Sequence, residues 1–366
     1  MIDRPVLLAA GGTGGHLFPA YALAEELARR GIAVDLATDP RGDRYGTGFP
    51  ARAVHKISSA TVAGRSPISL AKTSLALTRG IAQAFALLGR LKPAVVVGFG
   101  GYPSFPPLVA ARLRGIPTIL HEQNAVLGRA NRMLAARVTR IATSFPKVRL
   151  IDGAASGKVA FTGNPVRGQV LALAGQPYEA ALADGAFHLL VFGGSQGARY
   201  FSDTVPPALA LLPAEARARL RVTQQARQED LERVTSAYRD LGIAADVAPF
   251  FKDLPERMAA SHLVIARAGA SSVAELAVLG RPSILVPLPH ALDNDQLQNA
   301  TRLAESGGGW CIEQKDLAAQ RLAAEIGALM SAPERLTAAA RAARGEGRPD
   351  AVVRLADLVE EIAARA

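Results

Sequence analysis

Two glycine-rich turns, each directly behind a short apolar run, constrain this chain more than any other feature. Gly11-Gly12-Thr13-Gly14-Gly15-His16 follows residues 6–10, and Gly193-Gly194-Ser195-Gln196-Gly197-Ala198 follows residues 188–192. A strand that ends in such a turn and opens a helix leaves backbone N–H groups free to meet a phosphate. Two such turns, one in each half, predict two nucleotide-binding-type α/β domains whose parallel sheets face a shared cleft. The 366 residues, 49% of them hydrophobic, suffice for two cores.

Short apolar runs alternate with helical patterns along the whole chain, the pattern of parallel strands covered by helices. Strands are expected at 6–10, 32–37, 94–97, 118–120 and 140–142 in the first half, and at 188–192, 221–223, 263–266, 283–286 and 309–312 in the second. Gly163-Asn164-Pro165-Val166 punctuates the chain as a linker, and Gly345-Glu346-Gly347-Arg348-Pro349 is a second break. The expected organisation is therefore a first domain over 1–162, a linker at 163–166 and a second domain over 167–348. An amphipathic helix within 350–366 is expected to pack back on the first domain.

Charge is divided unevenly. Residues 1–166 carry 21 Lys and Arg against 8 Asp and Glu, a balance of +13, whereas residues 167–366 balance at −3. A basic half predicts an anionic partner such as nucleic acid, an anionic membrane surface or a phosphorylated substrate. Aromatic residues are only 5%, and no nucleic-acid motif is present, so a nucleic-acid partner is not expected. A single cysteine, Cys311, excludes an intramolecular disulfide and fits a reducing compartment. No apolar run is long enough to span a bilayer, and Met1-Ile2-Asp3-Arg4-Pro5 leads straight into the first strand without a signal peptide. The stretch 68–92 is amphipathic and basic: Ile68, Leu75, Leu77, Ile81, Phe85 and Leu88 alternate with Lys72, Arg79, Arg90 and Lys92. Such a stripe serves either a core or an anionic membrane surface.

Polar groups gather behind the strands. His16 ends the first turn, where it either caps a helix or accepts a proton. Gly98-Phe99-Gly100-Gly101-Tyr102 forms a third glycine-rich turn, suited to an anion or to a tight connection. His121-Glu122-Gln123-Asn124 places four polar side chains behind a strand, where parallel sheets bind ligands, and lacks the second histidine a zinc site requires. Arg267-Ala268-Gly269-Ala270-Ser271-Ser272-Val273-Ala274-Glu275 opens another helix. Ser271 or Ser272 is the expected cap, and the carboxylate of Glu275 suits a ribose diol. The segment 290–299 is a polar loop suited to sugar hydroxyls. The first turn fails the G-x-G-x-x-G dinucleotide pattern, which weakens a dehydrogenase reading, and lacks the Lys of a Walker A loop.

In order along the full length, these segments resemble the bacterial MurG-type enzymes. Those are GT-B-fold glycosyltransferases with two Rossmann-like domains. They move N-acetylglucosamine from UDP-N-acetylglucosamine (UDP-GlcNAc) to lipid I, the undecaprenyl-diphosphate-linked muramyl pentapeptide, and so form lipid II for the cell wall. The resemblance implies a donor site in the second domain. There Ser195 and the amides near Ala270, Ser271, Ser272, Val273 and Ala274 meet the diphosphate, Glu275 holds the ribose and Phe251 offers backbone to uracil. The usual residue at the uracil position is aliphatic rather than aromatic. Arg167, Gln296 and Asn124 complete the donor contacts, with Thr13, Gly14 and Gly15 from the first domain. Gly98, Gly100, Gly101 and Tyr102 are implied to meet the acceptor's diphosphate.

The implied reaction inverts the anomeric carbon as the muramyl C4 hydroxyl attacks. His16 is the expected base and Glu122 the second choice. Helix N-termini would stabilise the leaving UDP. Neither a metal nor any other cofactor is expected. The resemblance further implies peripheral attachment at the cytoplasmic face of the inner membrane, beside other cell-wall synthesis proteins. A UDP-sugar 2-epimerase, which shares the fold but needs no membrane face, is the rival enzyme.

Overall fold

The computed structural model describes residues 3–11, 14–39, 48–60, 66–182, 184–289 and 291–365, with 67–70, 195–198 and 292 described by backbone alone. It divides into two compact units, Met1–Arg167 with Pro349–Ala366, and Gly168–Arg348. The first unit runs β1 (Val6–Ala9), α1 (Gly14–Arg29), β2 (Val34–Thr38), β3 (Ala53–Lys56), α2 (Pro67–Leu91), β4 (Val95–Gly98), α3 (Gly101–Leu113), β5 (Thr118–Glu122), α4 (Arg129–Ala135), β6 (Arg140–Thr143) and β7 (Val159–Phe161). The second unit begins with α5 (Gly168–Leu173), β8 (Phe187–Phe192), α6 (Gly194–Ala210), α7 (Ala214–Arg219), β9 (Leu220–Gln225), α8 (Leu231–Asp240), β10 (Ala244–Ala248), α9 (Leu254–Ala259) and β11 (Leu263–Ala266). It continues with α10 (Ala270–Leu279), β12 (Ser283–Leu285), α11 (Asp295–Glu305), β13 (Gly309–Cys311), α12 (Ala319–Met330) and α13 (Pro333–Glu346), and α14 (Ala351–Ala364) rejoins the first unit.

Each unit holds one parallel sheet. The first has seven strands in the order β3-β2-β1-β4-β5-β6-β7, the second six in the order β10-β9-β8-β11-β12-β13. The strand order therefore reverses between β1 and β4 in one unit and between β8 and β11 in the other. Parallel sheets of this kind bind ligands beyond the carboxyl ends of the strands at such a reversal.

The central strands are apolar throughout because both faces are covered. Val6 and Leu8 of β1 join a cluster with Leu17, Leu23 and Leu27 of α1, while Leu7 and Ala9 join one with Leu87, Leu88 and Leu108 of α2 and α3. Period-2 alternation thus feeds two cores from one continuous apolar run. In the second unit, Phe187, Leu189 and Val191 of β8 pack with Phe201, Val205 and Leu209 of α6.

The edges differ. β3, β7 and β10 are edge strands with much exposed surface: β3 ends in His55 and Lys56, β10 is broken by Asp246, and β7 is only three residues long. The last helix spans the expected residues: Leu355, Leu358, Val359 and Ile362 of α14 enter the same cluster as Val6 and Leu8. Arg30 at the end of α1 clasps it through Asp357 at 2.6 Å and Glu360 at 3.3 Å.

The amphipathic stripe of α2 divides in two. Leu88 is core, Leu77 and Ile81 are half-buried, and Leu75 and Phe85 stay exposed at 72% and 39%. Leu113 of α3 and Met133 of α4 are exposed as well, on helices packed in succession beside α2.

Candidate functional site

In the first unit, β1 leads into α1 and its neighbour β4 leads into α3, so the reversal is bordered by His16 and by the Gly98–Gly101 turn. Gly100 and Gly101 adopt left-handed backbone, φ 79° and 68°, which any side chain would strain. They also leave room for the His16 ring: a Cβ on Gly101 would stand 3.3 Å from its Nε2, and one on Gly100 3.5 Å from its Cε1. Gly98 is a glycine for another reason, since a Cβ there would overlap Leu108 of the core. Gly100 is the N-cap of α3, and as a glycine it offers the first amides of that helix no side-chain acceptor. Tyr102, in its first turn, is half-buried.

The His16 ring is half-buried, with Nδ1 3.3 Å from Gln123 Oε1. Burial lowers its pKa below 6.5, against the raising pull of Gln123 and the Phe99 carbonyl. The imidazole is therefore neutral at neutral pH and free to accept a proton. Behind it, His121 and Gln123 are buried at the end of β5. Burial draws the His121 pKa down to about 4.

Glu122 has a different environment. Its carboxylate is 1% exposed. Oε1 accepts from Asn124 N at 2.9 Å and Asn124 Nδ2 at 3.2 Å, and Oε2 from Gly128 N at 2.9 Å and Asn131 Nδ2 at 2.7 Å. Burial pushes its pKa up, while these donors pull it down. Four bonds engage both oxygens, so the carboxylate closes the 124–131 segment on itself. Gly14 packs on Phe18 of α1, and the Arg167 guanidinium lies 5.3 Å from the Phe18 ring centroid. Thr13 lies outside the described residues.

In the second unit, the reversal is bordered by the starts of α6 and α10, which follow the paired strands β8 and β11. Both helices have glycine N-caps, Gly193 and Gly269, without a side-chain hydrogen bond. The expectation that Ser271 or Ser272 caps α10 is therefore corrected. Both lie inside the first turn, two and three residues past the cap, and the buried Ser271 Oγ has no hydrogen-bond partner among the described residues. Two helix starts behind paired strands make an edge chemically suited to an anion. Ser195 is described by its backbone, in the first turn of α6.

Around that edge, Ala270 and Ala274 are half-buried, and Val273 and Glu275 are buried. Phe251 is 8% exposed beneath the Arg257 guanidinium, 4.4 Å from its ring centroid, while Phe250 is 70% exposed. Gln296 Oε1 accepts from Leu288 N at 3.0 Å, which ties the loop before α11 and turns the amide nitrogen away from that bond. Residues Asp293 and Asn294 in that loop are left-handed, φ 57° and 54°.

Three residues had no individual role in the sequence reading. Arg267 is buried, bonded to the carbonyls of Val286 and Pro287 and to Gln314 Oε1. Burial lowers its pKa to about 10, so it remains a cation at neutral pH. Asn299 holds the Ala268 carbonyl from α11 at 3.1 Å. Gln225 joins Gly193 N at 3.3 Å to the Pro249 carbonyl at 3.1 Å, and so links two loops of the same sheet edge. The available signal was position: Arg267 and Gln225 stand at the carboxyl ends of strands, and Arg267 there follows an apolar run.

Comparison with known proteins covers both units. The glycosyltransferase family 28 N-terminal domain matches residues 6–143, and the glycosyltransferase family 28 C-terminal domain matches 188–355. Among curated relatives, proteins from Chelativorans sp. (strain BNC1) and Methylobacterium sp. (strain 4-46) are both named UDP-N-acetylglucosamine–N-acetylmuramyl-(pentapeptide) pyrophosphoryl-undecaprenol N-acetylglucosamine transferase. The first is 55% identical over 99% of this chain and 96% of its own, the second 58% identical over 98% and 96%. The crystal structure of Acinetobacter baumannii MurG matches with a TM-score of 0.80 at 30% identity, over 98% of this chain and all of the other.

Proposed function

We propose a function from a settled premise: the chain belongs to glycosyltransferase family 28, in its MurG-type branch. It is an N-acetylglucosaminyltransferase that moves the sugar from UDP-GlcNAc to the C4 hydroxyl of the muramyl residue of lipid I, forming lipid II with inversion. The observation that carries this reading is the pair of uncapped helix starts, α6 and α10, behind neighbouring strands at the reversal of the second sheet. Two adjacent positive helix ends match two phosphates of a nucleotide diphosphate, and they lie where the family resemblance puts the donor.

The donor diphosphate binds the amides of 194–198 and 270–272, with Ser195, Ser271 and Ser272 in contact. Glu275 takes the ribose hydroxyls, the backbone at Phe251 takes the uracil, and Gln296, Asn124 and Arg167 take the sugar and its phosphate. As the glycosidic bond to the diphosphate breaks, negative charge grows on the leaving oxygen. The two helix ends stabilise it without reorganising, because their dipoles are already fixed. The start of α3, with Gly100, Gly101 and Tyr102, receives the acceptor's diphosphate in the same way.

His16 is the base. Its neutral imidazole accepts the proton of the attacking hydroxyl, and its lowered pKa keeps it competent at neutral pH. Glu122 has no such role: both of its oxygens are spent on the 124–131 segment. It acts by positioning Asn124.

The first unit docks on the cytoplasmic face of the membrane that carries lipid I. The +13 balance of residues 1–166 supplies attraction to anionic headgroups, and Leu75, Phe85, Leu113 and Met133 supply apolar contact. No described helix is long and apolar enough to cross a membrane. The deciding experiment incubates the protein with UDP-GlcNAc and a lipid I analogue and measures UDP release. Release that requires the acceptor is the expected result. Conversion of UDP-GlcNAc to its 2-epimer without acceptor would replace the reading with the epimerase.

A further inference from the structure

We propose that Gln123 and His121 are positioning residues that hold His16 as the Nδ1–H tautomer and reserve its Nε2 as the proton acceptor. The inference rests on the reading of His16 as the base. It follows from two backbone carbonyls, which can only accept hydrogen bonds and so polarise every group between them.

The chain of bonds can be followed from both ends. At one end, Gln123 Nε2 lies 3.0 Å from the Phe99 carbonyl. Reversing the amide would set Oε1 against that carbonyl, acceptor against acceptor, so the NH2 group must face Phe99. That leaves Oε1 pointing at His16 Nδ1, 3.3 Å away, and an amide oxygen there requires a hydrogen on Nδ1. At the other end, His121 Nε2 lies 3.2 Å from the Gly163 carbonyl and must carry a hydrogen. The neutral His121 ring then bears its lone pair on Nδ1, where it accepts the second Gln123 hydrogen at 3.0 Å.

The two carbonyls fix the Gln123 amide and the His121 ring, and the Gln123 oxygen so placed calls for the hydrogen on His16 Nδ1. The two histidines are thereby forced into opposite tautomers. The bond made by one ring nitrogen decides the state of the other. His16 Nε2, the nitrogen left over, faces Gly101, whose lack of a side chain leaves room beside it. Gln123 is 2% exposed and His121 fully buried, so water does not compete for these bonds. The far end of the chain, Gly163, also accepts from Thr162 Oγ1 at 3.1 Å and belongs to the segment that leads into the second unit. The tautomer of His16 is thus anchored to the backbone of that connecting segment.

The test reads tautomers directly. The full chain, labelled with 15N at its six histidines, is examined at pH 8 by long-range 1H–15N correlation, with His16→Gln and His121→Phe assigning the signals. Protonated Nδ1 on His16 together with protonated Nε2 on His121 is the expected result. Protonated Nε2 on His16 would overturn the inference. In Gln123→Met, which keeps the side chain's length but removes donor and acceptor, His16 should show mixed tautomers. Its kcat should fall about 10- to 100-fold with the KM for UDP-GlcNAc held within about twofold. An unchanged His16 signal in Gln123→Met would also overturn it. The base reading fails separately: His16→Ala with near-full kcat would remove it even where the tautomers are as stated.

Discussion

Replacing Glu122 with glutamine tests whether this carboxylate is chemistry or architecture. The substitution keeps size and shape and removes one acceptor. Oε1 receives two donors from Asn124, and Oε2 receives Gly128 N and Asn131 Nδ2. Whichever way the new amide turns, its NH2 group faces two donors and forfeits two accepted bonds. Hydrogen bonds to a charged group contribute about 1.5–3 kcal/mol each. The lost pair therefore costs about 3–6 kcal/mol, and release of the buried charge offsets part of it. A net loss of about 3 kcal/mol corresponds to about 6–12 °C in Tm for a domain of this size. Differential scanning calorimetry should show that drop in the lowest transition. At 20 °C, well below it, kcat should stay within about tenfold of the parent. Loss of a general base costs about 10²–10⁴-fold instead. An unmoved Tm with kcat reduced by about 10²-fold or more would refute the argument and make Glu122 a proton acceptor.

Other outcomes are equally specific. His16→Ala should lower kcat by about 10²–10⁴-fold while calorimetric binding of UDP is unchanged. In the parent, kcat/KM for the acceptor should decline only as pH drops through the His16 pKa, which lies below 6.5. His121 is protonated less readily in the folded chain, about 4 against 6.5, so the unfolded chain binds more protons between those values. Stability should then be lost as pH falls from 6.5 towards 4, by about 3 kcal/mol from this residue, and urea titrations of His121→Phe should show a flatter profile over that window. Gly98→Ala should destabilise by about 1–3 kcal/mol through overlap with Leu108; a neutral result in thermal melts would deny that the core sets this glycine. Flotation with anionic vesicles should weaken in high salt and in Leu75→Ser with Phe85→Ser, and binding indifferent to lipid charge would remove the electrostatic part of the docking reading.

The central strands were legible in the sequence because each is covered on both faces. Val6–Ala9 and Leu263–Ala266 have only apolar residues and stand out as runs. The edge strands Ala53–Lys56, Val159–Phe161 and Ala244–Ala248 were not, since each is either very short or broken by polar residues where its side chains meet solvent. α2 shows the same limit from the other side. Its stripe was visible, yet which apolar residues turn inward depended on α3, so Leu88 went to the core and Leu75 to the surface.

By itself, the sequence determined two parallel α/β units, the glycine turns that open their helices and the returning amphipathic helix, Ala351–Ala364. These follow from local rules of periodicity and backbone freedom, which neighbours along the chain enforce. Only tertiary structure decided what three consecutive polar residues do. In the sequence, His121 and Glu122 both stand as groups able to transfer a proton, with Gln123 as a polar neighbour. Contacts with Gly163, Asn131 and Phe99, distant along the chain, make the first a fixed donor, the second a closed tie and the third a clamp on His16. A titratable group's role is set by what surrounds it, and those surroundings exist only after the chain has folded.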